Sequence, residues 1–235
     1  MEQLSAQKLL PENTPISYKT CQSCNGEWTR LEPIGVCYDC ALSKKAEVDA
    51  AEKLKGETLA FIGIKGYEQY ALDKFKPLAG TEEALEACKT FNPDTDNLYI
   101  HGPCGTGKSH LAVSVWRKFF EGKKSGAVYR QPDIMRLFRG READEEFALL
   151  KLFDGYRCLV IDDLGVGRST EFSNQIIYEI IERRANAMRN GLIITSNLSL
   201  DEFAQKSGDD RLPSRIMGLC RRIKITSEKD MRGEK

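Results

Sequence analysis

The sequence predicts an α/β protein: a three-layer core around a mainly parallel five-stranded sheet, preceded by a small cysteine-rich module. Three observations predict it. From about residue 69, short apolar segments alternate with segments of helical periodicity. The run Gly102-Pro103-Cys104-Gly105-Thr106-Gly107-Lys108-Ser109 stands between one such strand and one such helix. Ahead of this region, four cysteines fall as two C-x-x-C pairs.

Length and charge narrow the classes further. A chain of 235 residues accommodates one medium α/β domain and a small appendage. Lys+Arg and Asp+Glu each number 35, so any nucleic-acid surface has to be local. No N-terminal stretch has the pattern of a signal peptide, and no apolar run approaches the ~18 residues that span a bilayer. A cytoplasmic protein with reduced thiols and no membrane partner is expected.

Residues 1–17, with Pro11 and Pro15, lack periodicity. The cysteine module follows at 18–42, with the spacing Cys21-x2-Cys24-x12-Cys37-x2-Cys40. Each C-x-x-C turns two thiolates toward one tetrahedral ion, and two such pairs close the shell, so Zn²⁺ here is structural. In so small a unit the metal also supplies much of the folding energy. Lys19, Trp28, Arg30, Tyr38, Lys44 and Lys45 offer a nucleic-acid surface with Trp28 as a stacking ring. Alternatively Trp28 covers the metal site as a miniature core. Glu27, Glu32 and Asp39 dilute the positive charge, which favours protein docking. Residues 41–55 are rich in Ala, Lys and Glu and should be helical, and Gly56, Gly63 and Gly66 mark a connector. The expected division is 1–55 for the zinc module and its helix, 56–68 for the connector, and 69–235 for the nucleotide-binding domain.

Within that last part, strands are expected at 97–101, 127–129, 158–161, 192–195 and 223–225. Helices are expected at 109–120 and 172–188, the second with Ile176, Ile177, Ile180 and Ile181 on one side. The glycine-rich run fits G-x-x-x-x-G-K-[ST] without a mismatch. Glycines let successive backbone N–H groups turn around a phosphate, the following helix offers its positive end, and Lys108 reaches the β- and γ-oxygens. Residues 102–109 and His110 are therefore the candidate ATP contacts, with the Ser109 hydroxyl as a Mg²⁺ ligand.

A second signature closes the strand at 158–161. Asp162 and Asp163 end a buried apolar segment, which is costly unless a cation or a reacting water needs them. Asp162 is expected on Mg²⁺ and Asp163 on the attacking water; the plainer alternative is an Asp pair capping a turn before Gly165. Asn197, at the tip of the next strand, is positioned for the γ-phosphate or that water, or else caps a helix starting near Leu200. No N-K-x-D run is present, which favours ATP over GTP. Between 117 and 141 a basic stripe (Arg117, Lys118, Lys123, Lys124, Arg130, Arg136, Arg139, Arg141) either lines a path for single-stranded DNA or is a solvated face. Cys88, Cys104, Cys158 and Cys220 read as small core or loop residues.

The runs GPCGTGKSHLA, LVIDDLG and IIERRANAMRNGLIITSNLS, with the late Arg211-Leu212-Pro213-Ser214-Arg215, resemble the AAA+ family of bacterial and phage replicative helicase loaders, the DnaC/DnaI type, over roughly residues 69–225. The transposition helper ATPases of IstB type share that core. The resemblance implies a slow, partner-stimulated ATPase that binds a hexameric replicative helicase and helps deliver it to single-stranded DNA. It also implies self-association through the ATP interface, with Arg215 first and Arg211 second as the arginine reaching a neighbour's nucleotide, and Arg183 or Arg184 facing the same interface. Ten residues follow Ile225, fewer than a helical lid requires, so no lid-borne arginine is expected. Two other readings stand beside the loader: a transposition helper on duplex DNA, and a zinc-module adaptor using ATP as a structural switch.

Overall fold

The structure, a computed structural model, describes residues 18–20, 27–29, 69–121, 126–166, 170–227 and 229–231. The chain divides into two compact units, Met1–Glu52 and Lys53–Lys235. In the first, β1 (Tyr18–Thr20) and β2 (Glu27–Thr29) pair antiparallel, with Lys19 opposite Trp28. Cys21, Cys24, Cys37 and Cys40, the helix expected at 41–55 and the connector at 56–68 lie outside the described residues.

The second unit opens with a short 3₁₀ turn, Leu72–Lys74, and helix α1 (Glu82–Thr90). Strand β3 (Asn97–His101) leads into α2 (Lys108–Glu121), then β4 (Gly126–Arg130), α3 (Gln131–Phe138) and α4 (Ala143–Gly155). Strand β5 (Cys158–Leu164), α5 (Glu171–Asn186) and β6 (Leu192–Ser196) follow. The chain then forms α6 (Leu200–Ser207), α7 (Arg211–Leu219) and β7 (Arg221–Lys224).

The sheet order is β4-β5-β6-β3-β7 and every pairing is parallel. Parallel strands need long crossovers, and right-handed crossovers place α2 on one face and the later helices on the other. Helix α2 packs on β4, β5, β6 and α1, while α5 packs against α4 and α7. The chain leaves β3 in one direction across the sheet and returns through β5 and β6 in the other. That switch point, at the carboxyl ends of β3 and β6, is where open α/β sheets bind ligands.

Burial follows from this layering. β6 is buried at every residue, as a strand covered on both faces should be. Edge strand β7 buries Ile223 and exposes Arg221, Arg222 and Lys224. Ile176, Ile177, Ile180 and Ile181 are all at or below 5% exposure, so the side of α5 marked by its isoleucines is its core face. Cys88, Cys158 and Cys220 are buried, and burial pushes each thiol up to about 12, which keeps them protonated and inert. Among the described residues no helix is long and apolar enough to cross a membrane.

Candidate nucleotide site

The loop between β3 and α2 owes its path to glycine. Gly105 and Gly107 adopt φ of 75° and 87°, in the left-handed region that side chains disfavour. Space is as restrictive as conformation: a Cβ on Gly105 would collide with the Asp230 carboxylate, and one on Gly107 would lie 3.0 Å from the Met231 sulfur. Thr106 is fully buried and its hydroxyl donates to the Pro103 carbonyl at 2.9 Å, tightening the turn. Lys108, 5% exposed, donates from Nζ to the carbonyls of Gly102 (2.9 Å) and Pro103 (2.6 Å). Its charge is thereby held inside the loop, where the first N–H groups of α2 also gather.

Asp162 enters from β5 at 3% exposure. Burial raises its pKa, against the lowering effect of hydroxyl hydrogen bonds from Thr195 and Ser109 and of the Lys108 charge, while neighbouring Asp163 raises it further. The Thr195 hydroxyl donates to Asp162 Oδ1 at 2.6 Å and accepts the backbone N–H of Asp163 at 2.9 Å. One buried hydroxyl on β6 thus fixes both acidic positions of β5. The pairing of β5 with β6 shifts register between Ile161 and Leu164, and Asp163 has φ of 57°. Non-glycine residues seldom adopt that conformation, and a bulge there re-aims a side chain. Asp163 accordingly lines the cavity rather than following the strand.

That cavity, about 420 Å³, is lined by Gly105, Gly107, Lys108, Ser109, His110, Asp163 and Asn197 among others. Of the two readings of Asn197, helix capping belongs to another residue. Ser199 caps α6, its side chain accepting from Glu202 N while Glu202 returns a bond to Ser199 N at 2.7 Å. A hydroxyl (Ser109) and a buried carboxylate (Asp162) hydrogen-bonded to each other form a hard oxygen pair that fits Mg²⁺ retaining several waters.

The far end of the cavity comes from residues that sequence reasoning did not single out: Tyr70, Lys74, Lys76 and Met231. His110 Nε2 is 3.0 Å from the Ala71 carbonyl, and Arg117 donates to the Tyr70 carbonyl at 2.8 Å, which staples the 69–76 segment to α2. The His110 ring lies 4.9 Å from that of Tyr70 and 5.4 Å from that of Phe75. No local pattern in residues 69–76 or 229–231 announces this role. Thr195 did leave a signal, a polar residue closing the apolar run Leu192-Ile193-Ile194.

The arginines separate sharply. Arg184 is 1% exposed and donates to the carbonyls of Phe153, Tyr156 and Asn190 at 2.7–2.8 Å. Burial lowers its pKa to about 10, and it ties α5 to the end of α4. Of Arg183 and Arg184, either of which was expected to face a subunit interface, Arg184 is therefore ruled out: a side chain spent on three internal carbonyls is not available to a neighbour. Arg183 pairs with Asp154 at 2.7 Å. Arg215 pairs with Glu182 of α5 at 2.6 Å and is half-buried, whereas Arg211, 70% exposed, pairs with Asp209 on its own loop. Neither Arg211 nor Arg215 is among the cavity residues. Much of the basic stripe is also paired internally: Arg130 and Arg136 share Asp133, and Arg141 holds Glu145. Lys123 and Lys124 lie outside the described residues.

Against this geometry stand the similarities to known proteins. The profile of the IstB-like ATP binding protein family matches residues 77–232. The replicative helicase loader DnaC of Escherichia coli K12 is 26% identical over 203 residues, covering 82% of this chain and 80% of that protein. A putative insertion sequence ATP-binding protein of Sinorhizobium fredii, y4pL, is 29% identical over 145 residues, 60% of this chain and 58% of its own. The crystal structure of the DnaC helicase loader superposes with a TM-score of 0.57 at 27% identity, covering 69% of this chain and 99% of that one. The crystal structure of DnaI, at 20% identity and TM-score 0.58, covers 69% of this chain and 94% of its own and shares the fold.

Proposed function

The chain belongs to the IstB-like ATP-binding protein family, and from that premise we propose that it is an ATP-hydrolysing loader. It binds a replicative DNA helicase and helps deliver it to single-stranded DNA. The observation that carries this reading over transposition is the extent of similarity: 203 aligned residues with the helicase loader against 145 with the insertion-sequence protein. The hydrolytic part rests on the cavity. Lys108 would exchange its loop carbonyls for the β- and γ-phosphate oxygens, and Ser109 with Asp162 would hold Mg²⁺, which would supply charge neutralisation there. Asp163 and Asn197 orient the attacking water. An adaptor that merely binds ATP has no use for a strained Asp163 aimed into the cavity.

Charge building on the γ-phosphate calls for a cation, and Arg215 or Arg211 of a neighbouring copy supplies it through self-association. Arg211 needs only to leave a surface ion pair, while Arg215 has to leave Glu182. The four-thiolate spacing of Cys21, Cys24, Cys37 and Cys40 supports a zinc-bearing module that docks on the helicase and leaves the ATPase unit to act. A cytoplasmic location follows from this role.

The test mixes the full-length protein with the replicative helicase of its host, single-stranded DNA and ATP. A stable complex by size-exclusion chromatography, with phosphate release stimulated by helicase and DNA together, supports the loader. Absence of helicase binding, with ATP-dependent assembly on duplex DNA instead, moves the assignment to the transposition helper.

A further inference from the structure

The segment after β7 does not leave the nucleotide site; it turns back over it. The Ile225 N–H donates to the His101 carbonyl at 2.8 Å, prolonging the β3 pairing by one residue, and the Ile225 carbonyl covers Gly102. The Thr226 N–H donates to the Gly80 carbonyl at 3.3 Å. Then the Met231 N–H donates to the Gly105 carbonyl at 2.9 Å, with the Asp230 carboxylate against the Gly105 Cα. Each of the three glycines of the phosphate loop (Gly102, Gly105 and Gly107) therefore lies against a residue of this segment, most tightly Gly102 against the Ile225 carbonyl.

The last contact gives the segment a chemical role. The Met231 side chain, half-buried against the core, approaches Gly107 and lines the same cavity as His110 and Tyr70. The loop end of the cavity takes charge, whereas this end adds a thioether and two rings, with Lys74 and Lys76 also lining it. A thioether against an aromatic ring is favourable and tolerant of exact placement. We propose that Met231 is a nucleobase-contacting residue: its side chain walls the cavity where a purine would lie, and its main-chain bond to Gly105 fixes that wall to the phosphate loop. This rests on the ATP reading above and adds to it the residue that separates a nucleotide from a bare triphosphate. Base and triphosphate are gripped through one peptide segment, because the same Met231 whose side chain meets the base has its N–H on the loop.

The experiment measures competition against a fluorescent ADP analogue on the full chain, with ATP and inorganic triphosphate as competitors, for wild type, Met231→Ala and Met231→Leu. A thioether–aromatic contact corresponds to about two- to tenfold in affinity. Met231→Ala is expected to weaken ATP by that factor and to leave triphosphate unchanged, while Met231→Leu stays close to wild type. Equal ATP affinity in wild type and Met231→Ala overturns the proposal. So does an equal loss for ATP and triphosphate, which would make Met231 a loop-shaping residue only. Failure of the ATP reading has a different signature, wild type that binds neither competitor, and the proposal falls with it.

Discussion

The two ends of the nucleotide cavity are held by different forces. At the phosphate end, Lys108, Asp162 and Thr195 are at or below 5% exposure, and every contact is a hydrogen bond or a charge in a low-dielectric setting. At the other end, Tyr70, Met231 and His110 are half-buried, the two rings pack on each other, and Met231 is held by a main-chain bond to Gly105. Buried polar networks lose heavily when one member is removed, because the others are left unsatisfied. Apolar walls lose in proportion to the contact removed. Substitutions at the phosphate end should therefore act by orders of magnitude or on folding itself. Those at the base end should tune affinity.

The largest effect expected belongs to a residue outside both ends. If a neighbour's arginine completes the phosphate end, its loss costs turnover by about a thousandfold with ATP affinity nearly kept. Arg211→Ala and Arg215→Ala separate the candidates by steady-state phosphate release at high protein concentration. Glu182→Gln removes the ion pair while keeping Arg215, so a parallel loss in Arg215→Ala and Glu182→Gln would mark Arg215 as a link between α5 and α7. Turnover per chain that is independent of concentration, with both arginine variants active, would make the phosphate end self-sufficient.

Next come the residues inside the cavity. Asp163→Asn should keep ATP binding and lose about a hundredfold or more in hydrolysis, the scale of a positioned proton acceptor. Lys108→Ala should weaken ATP binding by about a hundredfold in calorimetric titration, since a charge-assisted contact is removed from a buried loop. A Lys108→Ala variant with wild-type affinity would show that the base end dominates binding, reversing the order drawn above.

The phosphate end was legible because its chemistry is local in sequence. Eight consecutive residues make the loop, and Asp162 and Asp163 follow an apolar run that has to be a strand. Four strands of the large sheet cover the spans expected of them, and the fifth is displaced by one or two residues toward the N-terminus. The edge strand was expected at 223–225 and is observed at Arg221–Lys224, because an edge strand tolerates exposed arginines that a buried one would not. The base end was not legible. Tyr70 and Met231 are 161 residues apart in number and line one cavity because β7 pairs beside β3, so no window of sequence contains the site. The short helices α3, α6 and α7 have eight or nine residues each, too few turns to establish a helical period in the sequence or to be stable except in place. For Arg184 the resemblance implied an interface position, as the alternative to Arg183, and nothing in the neighbouring sequence signals its burial. Here three free carbonyls at the ends of α4 and β6 draw it inward.

Thr195→Val tests whether the acidic pair depends on one hydroxyl. The substitution keeps shape but leaves the Asp163 N–H without its acceptor and Asp162 with one donor fewer. A cost of about 2 kcal/mol is expected, seen as a fall in Tm of about 4–8 °C. Hydrolysis should fall with it by about tenfold as Asp163 loses its fixed backbone. Unchanged Tm and turnover would show that the register shift in β5 alone positions both carboxylates.

The smallest effect is the most diagnostic, because its sign differs from that of almost every other change at the site. Burial raises the pKa of Asp162 above the ordinary carboxylate value, so in the nucleotide-free protein its ionised form costs stability at neutral pH. A carboxylate with a raised folded-state pKa contributes stability below its unfolded value and loses that contribution as pH rises through the folded one. Asp162→Asn should therefore raise Tm without nucleotide at pH 7, since Asn Oδ1 still accepts from Thr195 and Nδ2 donates to Ser109. The advantage over wild type should shrink as pH falls through the raised pKa toward the ordinary carboxylate range, where Asp162 becomes neutral as well. With Mg²⁺ and ATP the order should reverse, because only the wild type gains stability from binding both. Calorimetric scans of the two proteins at several pH values, with and without Mg²⁺-ATP, read all three outcomes. A lower Tm for Asp162→Asn in the absence of nucleotide would mean that the hydroxyls of Thr195 and Ser109 and the charge of Lys108 outweigh desolvation, and that the phosphate end is built for a resident charge rather than for an incoming cation.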